Sequence, residues 1–108
     1  MTDVKELRQR VKEQRTFADA VTAFYILVRL PELTWLDLLD GLDHPGLIAD
    51  AASINLHNIL NIPVPPGELI GEFIMDRSTW EKILKEKGID ENQCVPPETA
   101  PWVRGKLS

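Results

Sequence analysis

The chain has 108 residues, of which 44% are hydrophobic, and a formal net charge of −5 at pH 7. This length predicts one domain with a single core, and the acidic balance disfavours a general electrostatic hold on nucleic acid. A single cysteine suits a reducing compartment such as the cytoplasm, and the sequence lacks the roughly 18 uninterrupted apolar residues of a membrane helix, so no membrane association is expected.

A first helix is predicted close to the N-terminus. Thr2 and Asp3 resemble a helix start, and Val4, Leu7 and Val11 recur at spacings of three and four residues. The other faces carry charges of both signs. We therefore expect a solvated helix lying on the body of the protein, with an arm ordered by a partner as the alternative.

A second helix is predicted from Phe17 to Leu30, with Thr16 as its cap and Pro31 as its stop. Nearly all of its faces are apolar, which is typical of a helix in the middle of a fold. In so short a chain the same helix could instead form a symmetric interface, so a homo-oligomer stays open.

A short third helix is predicted within residues 31–41. Leucine and tryptophan side chains supply its apolar side, and Asp37 and Asp40 are expected to point outward. Gly41 is expected to take the left-handed conformation that ends a helix. A fourth helix is predicted from Pro45 to about Leu60, because proline is favoured in the first turn.

The segment after the fourth helix is irregular in the prediction. Three prolines within residues 62–67 form a joint, and one short strand or hairpin near 68–76 is the alternative to helix there. Ser78 and Glu81 then predict a capping box for a fifth helix, which Gly88 ends.

The whole pattern predicts a mainly α fold, a compact bundle of four or five helices. Residues 1–88 form the single domain, and residues 89–108 form a proline-rich C-terminal tail that is mobile or docked on the body. Trp102 is the tail residue best suited to anchor in a pocket of this protein or of a partner.

The fourth helix carries polar residues on two sectors. Asp50, Ser53 and His57 share one sector, predicted as a polar surface stripe because Asp50 lies roughly 10 Å along the axis from His57 and cannot orient its ring. Asn55 and Asn58 fall in the sector assigned to burial. We expect them to hydrogen-bond neighbouring backbone, for example in the joint, or to face a partner across water.

Catalytic and metal chemistry have weak support in the sequence. Asp43, His44, Asp50, His57 and Cys94 are too widely spaced for a typical metal site, and no cofactor-binding motif is present. No cofactor, metal ligand or catalytic residue is therefore assigned. A small enzyme or enzyme subunit using His57 or His44 remains an alternative.

The charges are segregated along the chain, and this carries the functional prediction. No lysine or arginine lies between Arg29 and Arg77, whereas this segment holds eight of the seventeen acidic residues. We expect a small intracellular adaptor or regulatory protein that binds a protein with a basic surface through an acidic face at about 32–50. The predicted contact residues are Glu32, Asp37, Asp40, Asp43, Asp50 and Trp102. A DNA-binding regulator that uses the basic first helix (5–15) is the alternative, although nucleic acid is not the favoured partner.

Overall fold

A computed structural model of the protein describes residues 3–69 and 73–96. Within these residues the chain forms five helices and no strand: α1 (Val4–Glu13), α2 (Phe17–Leu27), α3 (Trp35–Leu42), α4 (Leu47–Ile59) and α5 (Arg77–Glu86). The predicted mainly α bundle is confirmed. Residues 68–69 and 73–76 are not in a strand, and 70–72 lie outside the described residues.

The core lies between α2 and the helices around it. α2 packs against α1 and α4, and α3 packs against α4 and α5. Phe24 of α2 and Trp80 of α5 are among the largest fully buried side chains. The prediction that α2 is a core element is confirmed on one side of the helix, while Phe17 and Tyr25 on its other side remain exposed.

The start of α2 follows the prediction and its end does not. Thr16 is the cap, and its hydroxyl accepts a hydrogen bond from the Asp19 amide at 3.0 Å. The helix ends at Leu27, because the next residues tighten into turns in which Arg29 N donates to Ile26 O at 3.1 Å. The predicted extension to Leu30 is therefore wrong by one turn.

The structure corrects the prediction for α3 at two residues. Gly41 lies inside the helix, not at its end, and a Cβ there would stand 2.8 Å from the ring of Phe24. Asp37 is buried instead of pointing outward, whereas Asp40 is exposed as predicted. Thr34 and Asp37 form a capping box that was not predicted.

α5 has the predicted end and a different start. Gly88 adopts a φ of 73°, and Ile89 N donates to Leu84 O at 2.9 Å in the hydrogen bonding typical of a glycine-terminated helix. The helix begins at Arg77, so Ser78 is not its cap and the predicted capping box is wrong. Glu81 is hydrogen-bonded to Arg77 instead.

Residues 89–96 run back across the start of α3. Trp35 N donates to Gln93 O at 3.2 Å, and Val95 N donates to Leu33 O at 2.7 Å. The side chain of Val95 is fully buried. The first part of the predicted tail is thus held on the body, and the remainder, including Trp102, lies outside the described residues.

Candidate functional site

An open cleft of about 480 Å³ lies where α1, α2 and α3 meet. We call it the α1–α3 cleft. Its lining residues are Arg8, Val11, Lys12, Phe24, Leu27, Asp37, Asp40, Asp43 and His44. The apolar members are almost fully buried and form a floor, whereas the charged members stand around it.

Helical spacing explains why these side chains share one cleft. Asp37, Asp40 and Asp43 follow one another at intervals of three residues, so they lie on one side of α3 and its last turn. Arg8 and Lys12 are four residues apart and lie on one side of α1. The cleft therefore has a basic contribution from α1 and an acidic contribution from α3.

Asp37 is committed to the fold. Its two carboxylate oxygens accept hydrogen bonds from Arg8 Nε at 2.8 Å and from Arg8 Nη2 at 2.9 Å, a paired geometry that is strong for a carboxylate and a guanidinium. One of these oxygens also accepts from Thr34 N at 2.9 Å. The hydrogen bond to Asp37 is the main cause of a raised pKa for Arg8. Only 8% of the Asp37 side chain is exposed.

Asp40 and Asp43 have a different environment, because each side chain is 56% exposed. Both bind Nη1 of Arg77, which opens α5, at 2.9 Å and 2.5 Å respectively. Burial lowers the pKa of Arg77, but the hydrogen bond to Asp43 and the charge of Asp40 outweigh it, and the pKa is raised. Arg77 Nε also lies 3.4 Å from Glu81 Oε2, so three carboxylates share one guanidinium and the group keeps an excess negative charge.

The other predicted contact residues lie at or beyond the edge of this cleft. Glu32 is exposed, and its backbone carbonyl accepts from Arg8 Nη2 at 3.1 Å. Asp50 is half-buried in the first turn of α4 and is not among the residues that line the cleft. Trp102 lies outside the described residues. The structure thus brings together Asp37, Asp40 and Asp43, with Glu32 nearby.

The arginines that hold these acids were not predicted from the sequence. Arg8 is 29 residues from Asp37, and Arg77 is 34 residues from Asp43. No local pattern links residues so far apart. The one signal in the sequence was the absence of lysine and arginine between Arg29 and Arg77, because any basic partners of the acids in this segment must then come from the two flanks of the chain.

The arginines of the N-terminal region are also paired. Arg10 Nη2 lies 2.7 Å from Asp19 Oδ1, and Arg15 Nε lies 3.2 Å from Glu13 Oε2. The hydrogen bond from Arg10 lowers the pKa of Asp19 and raises that of Arg10. Together with the pairing of Arg8, these contacts weaken the positive field that DNA binding by residues 5–15 requires.

Ser53 and His57 of the predicted surface stripe on α4 are buried and Asp50 is half-buried, so the prediction of an exposed stripe is wrong. His57 is 1% exposed, donates from Nδ1 to Ile62 O at 2.8 Å and packs edge-on against Trp80. Ser53 donates to Phe73 O at 3.2 Å. Both side chains therefore hold the segment that follows α4, and they do not form a nucleophile with its base.

The two asparagines of α4 bond to backbone, as one of the two predicted options requires. Asn55 Nδ2 donates to Ala51 O at 2.7 Å, and Asn58 Nδ2 donates to Ile54 O at 2.8 Å. Their acceptors belong to the preceding turn of the same helix, not to the proline-rich joint.

His44 is the imidazole that the cleft presents, and its Nδ1 contacts Gln14 Nε2. Across residues 3–69 and 73–96, no three side chains of His, Cys, Asp or Glu converge as metal ligands. The described helices are also too short or too polar to span a lipid bilayer.

The α1–α3 cleft combines an apolar floor with charged side chains around it. Its apolar floor can take up a side chain, and the exposed carboxylates on its α3 side can bind a cation. Comparison of the chain with protein families, with curated proteins and with solved structures finds no match.

Proposed function

We propose that this protein is a small intracellular adaptor or regulator that acts by binding another protein through the α3 side of the α1–α3 cleft. The partner presents a basic surface. The observation that carries the proposal is the position of two exposed carboxylates, Asp40 and Asp43, beside the apolar floor formed by Val11, Phe24 and Leu27.

The charge balance of the cleft supports a basic partner. Asp37 is neutralised by Arg8, whereas Asp40 and Asp43 share Arg77 and leave a net negative charge on the α3 side of the cleft, opposite Lys12 on the α1 side. An arginine or lysine of the partner compensates that charge while its apolar stem covers the floor. Such complementarity chiefly sets the rate of association and the choice of partner.

The experiment compares three full-length chains as immobilised baits in an extract of the native host. They are the native chain, the double variant D40N/D43N, and the control E68Q/E86Q, which removes two exposed acids that do not line the cleft. Bound proteins are quantified by mass spectrometry. We expect a basic protein that both the native chain and the control capture and that D40N/D43N loses.

A purified partner then allows the association rate to be measured against ionic strength. The rate should fall by roughly tenfold in D40N/D43N at low salt and become less salt-dependent, since the charges that steer encounter are gone. Equal capture and equal rates for the native chain and D40N/D43N would refute the proposal. Thermal unfolding of each variant verifies that the fold is intact.

A further inference from the structure

The chain continues beyond Val95 from a point beside the α1–α3 cleft. Thr34 pairs with Cys94 in an antiparallel bridge, and Val95 N is bonded to Leu33 O at 2.7 Å. Thr34 N is in turn bonded to Asp37, which lines the cleft. The last described residues therefore lie next to the start of α3, at the end of the cleft where Asp37 is found.

We propose that residues 97–108 of this chain bind in the α1–α3 cleft of the same molecule. Trp102 lies against the apolar floor, and Arg104 lies beside Asp40 and Asp43. The inference concerns the free protein and goes beyond the proposed partner binding, because it assigns the cleft an occupant in the absence of any partner.

The chain after Pro96 is long enough to span the α1–α3 cleft. From Pro96 to Trp102 an extended proline-rich chain covers about 19 Å, at ~3.1 Å per residue. The acidic side of the cleft, from Asp37 to Asp43, rises only about 9 Å along α3. Trp102 can therefore reach any part of the floor, and Arg104 can reach the far end of the acidic side.

The order of charges along the segment matches the order in the cleft. Glu98 comes first in the sequence, and the end of the cleft nearer to Pro96 presents Arg8. Arg104 comes after Trp102, and Asp40 and Asp43 lie farther along α3. Arg104 and Lys106 against Glu98 give the segment an excess of positive charge, opposite to that left on the aspartates. Prolines at 96, 97 and 101 reduce the ordering entropy that docking costs.

The test is solution NMR of the full-length protein with labelled methyl groups and labelled tryptophan. Docking predicts nuclear Overhauser contacts between the Trp102 ring and the methyl groups of Val11 and Leu27. In W102A these contacts vanish and both methyl resonances shift, whereas the control T99A leaves the resonances in place. The two other tryptophans, Trp35 and Trp80, are buried and provide internal references.

Two results would overturn the inference. The first is the absence of contacts from Trp102 to Val11 and Leu27, whether the ring is solvated or lies on another surface. The second comes from a mixture of labelled and unlabelled chains: contacts that arise only between different molecules would show a tail exchanged between copies. Neither NMR result decides whether D40N/D43N loses capture of a basic partner, so this inference and the proposed function can fail independently.

Discussion

Gly41 shows how a single residue is fixed by a neighbour far away in the sequence. It lies in the last turn of α3, where the ring of Phe24 and the Cβ of Ala52 occupy the space of a side chain. A glycine after an apolar stretch is typical of a helix end, so the sequence predicted a terminating role. The correct role depends on a tertiary contact that no local pattern carries.

We expect Gly41→Ala to destabilise the protein by about 1–2 kcal/mol. The new methyl group would stand 2.8 Å from Phe24 and 3.0 Å from the Cβ of Ala52, and overpacking in a core outweighs the roughly 1 kcal/mol that alanine gains in helix propensity. Urea unfolding measures the change. In the background Phe24→Leu the same substitution should be neutral or stabilising, and an equal loss in both backgrounds would contradict the steric explanation.

At the scale of the elements, periodicity and end residues predicted much of the fold. Thr16 and Gly88 were identified correctly, because a cap and a left-handed glycine act within a few residues of the chain. The burial of Ser53 and His57 was missed, since the residues that cover α4 come from the irregular segment after it. Sequence periodicity indicates which residues share a face, but not which faces are covered.

Asp37 and Asp40 provide a matched pair for testing how α1 is held on α3. Asp37→Ala removes the bond to Arg8 and leaves Thr34 N without its side-chain acceptor, so we expect a loss of about 1–3 kcal/mol in the free energy of unfolding. Asp40→Ala affects an exposed ion pair and should cost less than about 0.5 kcal/mol. Urea unfolding of both variants measures the difference. Similar losses would mean that Asp37 does not tie the helices together.

Across the whole molecule, folding partly cancels the segregation of charge that is visible in the sequence. Arg8, which precedes the base-free segment, and Arg77, which follows it, both bind acids of α3. The sequence predicted an acidic region but could not divide its members between the fold and the surface. The division follows burial. The side chain of Asp37 is 8% exposed and pairs with Arg8 within the fold, whereas those of Asp40 and Asp43 are 56% exposed and remain accessible to a partner.

Ion pairs that form only in the folded chain also make its stability depend on pH. The hydrogen bond from Arg10 lowers the pKa of Asp19, and those from Gln9 and then Arg15 lower the pKa of Glu13. A carboxyl group whose pKa is lower in the folded state contributes stability above its unfolded pKa of about 4. This contribution is lost as the pH falls through the folded pKa.

We therefore expect Arg10→Gln to be less stable than the native chain at pH 7, and the difference to shrink as the pH falls and Asp19 becomes protonated in the folded state. Unfolding measured between pH 7 and pH 2 tests this, and NMR titration should show the pKa of Asp19 rising in the variant. Arg29→Gln is the control, because Arg29 forms no ion pair within the described residues. A stability difference that stays constant across this pH range would show that Arg10 acts through packing of its stem and not through the charge of Asp19.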